Sequence, residues 1–95
     1  MIATLVTFNL GDAFNEETAR NNALMSRGKF EGMPGLRSKA FTIDADRKQA
    51  RNFYIWNNEA TARNFFSEQN LEGVTKLYGV RPSVDFLEVA TLVDN

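Results

Sequence analysis

The sequence contains neither cysteine nor histidine. Without cysteine, the chain forms no disulfide, offers no thiol nucleophile and builds no thiolate metal site. Without histidine, it lacks the usual general base near neutral pH, the base of serine-type triads and the proximal ligand of most haem proteins. Any chemistry must use acidic, basic, hydroxyl or amide groups, or the substrate itself. The glycines also form no nucleotide-binding motif, so we expect no metal, haem or flavin cofactor.

A surplus of one charge and a long apolar run are missing as well. The formal net charge is −1, so no global field attracts nucleic acid or an anionic membrane. No apolar run approaches the roughly 20 residues that span a bilayer. The start, MIATLVTFNL, lacks the charged region and cleavage site of a signal peptide. We therefore expect a cytoplasmic protein that binds neither nucleic acid nor membrane.

The chain is also short. Its 95 residues are 43% hydrophobic and 24% charged, which is typical of a globular domain. A chain of this size buries only about 60–65% of its unfolded surface. We predict a single domain over residues 1–95 with a thin core, for which dimerisation is one way to bury more apolar surface.

Local patterns predict the element order β-α-β-β-α-β. Apolar and β-branched runs suit four strands, and asparagines followed by acidic residues suit two helix starts. The predicted strands cover residues 2–9, 36–43, 51–57 and 84–93, the helices follow Asn15 and Asn58, and a further helical piece covers residues 71–79. Such a chain is two βαβ halves in tandem. It predicts a ferredoxin-like α+β fold, an antiparallel sheet with helices on one face.

One short string occurs twice. Residues 15–21 read NEETARN, and residues 58–64 read NEATARN. Two interpretations compete, a binding motif used twice and a repeated way of beginning a helix. Because each copy opens the single helix of one half, and because asparagine caps and acidic first turns are common at helix starts, we favour the second. Ala19 and Ala62 occupy the same place in the two copies and suit close helix-to-sheet packing.

The strands carry apolar bulk on both faces. In the third strand, Phe53 and Ile55 point one way while Tyr54 and Trp56 point the other. One layer of helices covers only one face, so the other needs a partner, and a second copy of the chain is the simplest. The same pattern opposes Leu36 and Ala40 to Phe41 and Ile43 in the second strand, and places Phe86 beside Leu87 in the last.

The aromatic third strand raises a nucleic-acid alternative, because RNA-binding RRM domains share this element order. Arg51 and Phe53 fit the RRM signature of that strand. Asn52 stands where glycine is expected, Tyr54 where a small residue is expected, and Ile55 where an aromatic residue is expected. With no basic surplus, RNA binding is the least favoured of the functions considered.

Several short motifs are spread along nearly the whole chain. They are ATL at 3–5, PGL at 34–36 followed by Lys39 and Phe41, then Tyr54, Trp56, Asn58, Glu59 and Ala62 around the third strand, and GV at 79–80. These motifs, which are mostly structural, resemble those of the dimeric α+β barrel proteins, in particular the YdhR-type monooxygenases.

The resemblance implies a dimeric α+β barrel, in which two ferredoxin-like subunits pack sheet to sheet and each keeps a pocket between its sheet and helices. Several such proteins oxygenate quinol-like or polyketide aromatics without metal or flavin, because the deprotonated phenol of the substrate supplies electrons to O₂. Others degrade haem with a histidine ligand that this chain lacks, or isomerise lactones. The resemblance thus predicts a cofactor-independent monooxygenase or related small enzyme acting on an aromatic, quinol-like molecule. The alternative is a non-catalytic dimeric protein that binds a small apolar ligand.

The candidate site is placed by taking the first and third strands as parallel neighbours. Their carboxyl ends then share one edge, which brings Asn9 near Trp56 and Asn57. Phe41 joins from the second strand, and Tyr78 joins from the helical piece before the last strand. These five residues are the predicted ligand-binding set.

Two further expectations assign roles within that site. Tyr54 and Trp56 share a strand face and are expected to sandwich a flat aromatic ligand, with Asn9 as a hydrogen-bond donor. Tyr54 or Lys39 is the candidate catalytic proton acceptor. The competing interpretation is that Tyr54 and Trp56 only fill the dimer core.

Overall fold

The fold is a four-stranded antiparallel sheet with its helices on one face, seen in a computed structural model that describes residues 1–95. The sheet order is β2-β3-β1-β4, and every neighbouring pair is antiparallel. The predicted α+β class and the element order are confirmed, and the topology is consistent with a ferredoxin-like arrangement. The elements are β1 (Ile2–Asn9), a short 3₁₀ turn (Gly11–Ala13), α1 (Glu16–Phe30), β2 (Leu36–Asp44), β3 (Gln49–Trp56), α2 (Glu59–Phe65), α3 (Glu68–Tyr78) and β4 (Ser83–Glu88).

The parallel pairing expected for the first and third strands is wrong. The α1 crossover makes β2 run in the direction of β1, and the hairpin after β2 then reverses β3. Because β3 lies between β1 and β2, it is antiparallel to both. Ile2 therefore lies opposite Trp56, while Asn9 lies opposite Gln49 at the far end of the sheet.

The repeated string begins a helix in both halves, as predicted. The side chain of Asn15 accepts a hydrogen bond from the backbone N–H of Thr18 at 2.9 Å, and that of Asn58 accepts one from Thr61 at 2.8 Å. Each bond satisfies one of the amide donors that the first helical turn leaves unpaired. The two copies therefore have the same local cause and need no shared ligand.

The core lies between the sheet and the helices. Trp56 on β3 and Thr4 on β1 are its two fully buried large side chains, and the Trp56 Nε1–H donates to Thr4 Oγ1 at 2.9 Å. Since side chains alternate along a strand, the inward position of Trp56 also turns Tyr54 toward the helices. The buried hydrophobic cluster around Trp56 consists of Ile2, Val6, Phe8, Tyr54 and Ala62.

Gly35 gives a structural reason for the PGL motif. Its φ of +82° lies in the left-handed region, and a Cβ there would come within 2.5 Å of the Thr61 Cγ2. Its carbonyl also accepts a hydrogen bond from the backbone N–H of Asn57 at 2.9 Å. The glycine therefore lets the turn before β2 approach the start of α2 closely.

The second strand departs from simple alternation. A register shift between Leu36 and Ser38 lets Leu36 pack against the core, while Ala40 points to the other face. The expectation that Leu36 and Ala40 share a face is therefore wrong, because the bulge adds one residue to the strand. Lys39, Phe41 and their neighbours on β3 keep the helix-facing side.

The last strand is shorter than the predicted residues 84–93, since it ends at Glu88. The chain then crosses one end of the sheet. The Val89 N–H donates to the Met1 carbonyl at 3.3 Å, and Asp94 pairs with Arg37 at the start of β2. Residues 89–95 thus connect the two edge strands at that end.

None of the helices combines the length and the apolar character that crossing a membrane requires.

We predict that Trp56→Phe lowers the free energy of unfolding by about 2–3 kcal/mol, because it leaves a cavity and an unpaired buried Thr4 hydroxyl. Urea denaturation measures the change. Adding Thr4→Val should cost little more, since both hydrogen-bond partners are then absent. An unchanged urea midpoint for Trp56→Phe would show that the indole is not a core anchor.

Candidate functional site

A cleft lies between α1 and α3 over the helix-facing side of the sheet. It contains two adjoining cavities of about 630 Å³ and about 470 Å³. We name the larger one the lysine cavity, after Lys39 in its wall, and the smaller one the α1 cavity, after the helix that covers it. The two share the wall residues Phe8, Ser26, Phe41, Asn52, Leu77 and Tyr78.

The cleft has a cause in the sequence of α1. The residues of this helix that are partly buried toward the sheet include Ala19, Ala23 and Ser26, all of them small, and only Phe30 at the end is large. No residue of α1 is fully buried. A helix with such a small-residue stripe leaves space above the sheet instead of filling it.

Lys39 is surrounded by aromatic rings. Its Nζ lies 3.3 Å from the ring centroid of Phe30, 4.0 Å from that of Phe41 and 4.4 Å from that of Tyr54. The strands bring Lys39, Phe41 and Tyr54 together, because Lys39 on β2 lies opposite Tyr54 on β3 and Phe41 lies two residues after Lys39. The third ring is that of Phe30, the last residue of α1.

Burial, and secondarily the charge of Lys29, lower the pKa of Lys39 from 10.5 to about 7. The ring faces act against this, because they attract the ammonium form. The side chain is thus balanced between ammonium and neutral amine near neutral pH. A neutral amine accepts a proton, which is the chemistry expected of a general base.

Tyr54 has the opposite character. Burial, and secondarily the nearby Tyr78, raise the pKa of the Tyr54 hydroxyl well above its ordinary value. The phenol therefore stays protonated at neutral pH and can donate a hydrogen bond but not act as a base. Of the two candidate proton acceptors, the environment favours Lys39.

The predicted aromatic sandwich is wrong. The rings of Tyr54 and Trp56 stack on each other with centroids 5.4 Å apart and planes 10° apart. A flat ligand between them would need about 7 Å, since each stacking contact takes about 3.5 Å. Trp56 lines neither cavity and belongs to the core of the chain itself. Nor do these rings face the side of the sheet available to a second subunit.

The two predicted asparagines lie outside the cleft. Asn9 is exposed at the end of β1, where Gln49 Nε2 donates to its Oδ1 at 2.5 Å. Asn57 is exposed beyond the end of β3, at the opposite end of the sheet. Neither residue lines either cavity. Both placements depended on the parallel pairing that the antiparallel sheet excludes.

The other two predicted ligand-binding residues do lie in the cleft. Phe41 and Tyr78 line both cavities, and the Tyr78 ring packs on Phe8 with centroids 4.9 Å apart. The cleft thus brings together Lys39, Phe41, Tyr54 and Tyr78 from the predicted set.

Two residues of the cleft escaped sequence reasoning. Asn52 lines both cavities, between Val6 and Phe41 on the helix-facing side of the sheet. Its signal is an amide two residues before Tyr54 on an otherwise apolar strand face. Phe30 supplies the ring nearest to Lys39, and its signal is an aromatic residue that ends the small-residue stripe of α1.

The charged side chains in the cleft wall are all basic. Lys29 and Lys39 line the lysine cavity, Arg20 lines the α1 cavity, and no carboxylate lines either one. No group of three or more acidic side chains converges to hold a metal ion. The wall chemistry therefore favours a ligand that is apolar over most of its surface and carries an acidic or anionic group.

No protein-family model and no curated protein matches this sequence. The likeness to the YdhR-type monooxygenases consequently depends on the short motifs and on a fold compatible with them.

We predict that Lys39 titrates near pH 7, whereas an ordinary lysine titrates near 10.4. The ¹³Cε chemical shift of lysine measures this, with the signal assigned by its loss in Lys39→Met. Between these two pKa values the unfolded chain binds more protons than the folded chain, so the stability should rise with pH from about 7 to about 10.

The same variant gives the control for the stability measurement. Lys39→Met should reduce the rise of unfolding free energy between pH 7 and pH 10, and Lys76→Met, on an exposed position of α3, should preserve it. A titration midpoint of Lys39 near pH 10 would show that the amine is solvated and that the surrounding aromatic rings do not perturb its pKa.

Proposed function

We propose that the chain is a small enzyme that binds an aromatic, quinol-like molecule in the cleft and uses Lys39 to remove its phenolic proton. The observation that carries the proposal is the amine of Lys39, held among three aromatic rings in a cleft whose charged residues are all basic. This is the reaction type that the resemblance to cofactor-independent monooxygenases implies.

The chain's own groups would divide the work in a simple way. The aromatic walls exclude water and contact the flat faces of the ligand, while the neutral Lys39 accepts the phenolic proton. The resulting ammonium and phenolate form an ion pair that the apolar surroundings strengthen. The protonated Tyr54 hydroxyl and the Asn52 amide are hydrogen-bond donors available to ligand oxygens in the same cavity.

The oxidation itself would need only the substrate and O₂. A deprotonated polycyclic phenol is rich in electrons and can pass them to O₂, after which oxygen joins the ring carbon. For a ring CH₂ group the overall reaction consumes one O₂, places one oxygen atom in a new C=O group and releases the other as water with both hydrogens. The four electrons that reduce O₂ come from the two C–H bonds.

A second candidate is a non-catalytic protein that binds an apolar ligand in the same cleft. It is supported by the apolar side chains of the walls, which include Phe8, Phe41, Phe65 and Phe66. Turnover separates the two candidates, because a binding protein would hold the phenol without consuming O₂. RNA binding has less support, since Tyr54 and Trp56 are buried and cannot stack on bases.

We predict that Lys39→Met lowers the rate of O₂ consumption with a hydroxyanthrone by at least about 100-fold, the usual effect of removing a general base. An oxygen electrode and the absorbance of the quinone product measure it. Lys39→Arg should be equally impaired, because arginine stays charged. Lys76→Met, on an exposed position of α3, is the matched control and should keep the rate.

The pH profile gives a second measure of the same role. Only the neutral amine accepts a proton, so kcat/KM should rise with pH through about 7 and then level off. Should Lys39→Met keep both the rate and the profile, the proposed role of Lys39 is wrong. Tight phenol binding without O₂ uptake would favour the non-catalytic candidate.

We further propose that two copies pack sheet to sheet as a dimeric α+β barrel. The support is the sheet face that no helix covers, where Phe53 and Leu87 are 38% and 47% exposed. On β1, Leu5 lies opposite Phe53 and Ala3 lies opposite Leu87, so the central strand adds apolar side chains to the same face. On the same face the Nε of Arg51 is buried and has no hydrogen-bond partner within the chain, which suits an acceptor group from a second copy.

The cytoplasmic location stays a prediction.

We predict that the protein sediments as a dimer at micromolar concentration and that Phe53→Glu converts it into a monomer, because a charge would then be buried in the interface. Sedimentation velocity measures both species. Met25→Glu also places a charge at an exposed apolar position, but on α1, and should leave the dimer intact. A monomeric unmodified protein would contradict the barrel.

A further inference from the structure

We propose that the cleft takes an elongated ligand, with an acidic aromatic ring at Lys39 and an apolar extension, a chain or a further ring, under α1. This rests on the proposed function, and it adds a second binding region and a substrate class. The two cavities would hold the two parts of one molecule.

The two cavities adjoin each other, as an elongated ligand requires. They share one boundary, to which β1 contributes Phe8, β2 contributes Phe41 and β3 contributes Asn52. Lys39 lines only the lysine cavity, whereas Ala19 and Ala23 line only the α1 cavity. A ligand bound by its ring at Lys39 would thus extend into the α1 cavity past Asn52, which lines both cavities.

The α1 cavity has an apolar floor and an apolar mouth. Under α1, the sheet presents Phe8, Ile43 and Ala50. At the mouth, Leu24 on α1 and Leu77 on α3 are 70% and 77% exposed. Both side chains are therefore available for contact with an apolar ligand. An alkyl or aryl extension in this cavity would contact both of them.

The charged side chains of the lining decrease in number from the lysine cavity to the α1 cavity. The amines of Lys29 and Lys39 belong to the lysine cavity, with the protonated Tyr54 beside them. The only charged side chain in the α1 cavity is Arg20, which pairs with Glu16 on the exposed surface of the helix. One end of the ligand is therefore recognised by charge and hydrogen bonds, and the other by apolar contact.

A series of para-alkyl phenols, from methyl through propyl to pentyl, tests the inference by calorimetric titration. Affinity should rise about fourfold for each added methylene, the gain expected from burying it. Ala23→Phe, which fills the α1 cavity, should abolish most of this gain and leave para-methyl phenol binding unchanged. Ala60→Phe, at an exposed position of α2 outside both cavities, is the matched control and should keep the gain.

Leu24→Ser provides a second variant, because Leu24 lines only the α1 cavity and its exposed position cannot disturb the core. It should weaken para-pentyl phenol and spare para-methyl phenol. Affinity independent of chain length, or a gain that survives Ala23→Phe, would overturn the inference. Lys39→Met separates this from the proposed function, because it should weaken every phenol in the series by the same factor. Chain-length dependence with no effect of Lys39→Met would retain the α1 cavity and remove Lys39 from the site.

Discussion

The hydrogen bond between Trp56 and Thr4 fixes the side of the sheet on which the candidate site lies. It joins β3 to β1 in the driest part of the core. Since side chains alternate along a strand, an inward indole also turns Tyr54 and Asn52 toward the helices. The pairing of β3 with β2 then places Lys39 and Phe41 on that side as well. A slip of one residue would move the whole set to the other face.

The position of the Lys39 amine among three aromatic rings has a cost in free energy. An ammonium loses its hydration there, and three ring faces return only part of that stabilisation. A small domain with a thin core has little stability to spare. Local strain of this kind is common at functional sites, where a perturbed group does chemistry that a solvated one does not. The small-residue stripe on α1 follows the same logic, because filling the cleft would stabilise the chain and remove the cavity.

The features that the sequence predicted well are local. Asn15 and Asn58 cap helices through bonds three residues away, and the alternation of Tyr54 and Trp56 with their neighbours is a property of one strand. The wrong predictions concern the relative placement of residues that are far apart in the sequence. Asn9 was misplaced because strand direction depends on the whole β1–α1–β2–β3 path. The stacking of Tyr54 on Trp56 depends on rotamers that spacing does not determine, and Phe30 reaches Lys39 only through the packing of α1. Lys39 was singled out by resemblance, and its aromatic surroundings became visible only in three dimensions.

The two copies of the helix-start string face different surroundings. Ala62, in the second copy, is fully buried against the sheet, whereas Ala19, in the first, borders a cavity. In evolutionary terms, a larger residue at the second position is opposed by steric overlap in the core. At the first position it changes the shape of a cavity with little effect on the fold. The repeated string therefore begins one helix that is constrained by stability and one that is freer to vary, and under the proposed function changes in ligand preference are expected to accumulate on α1.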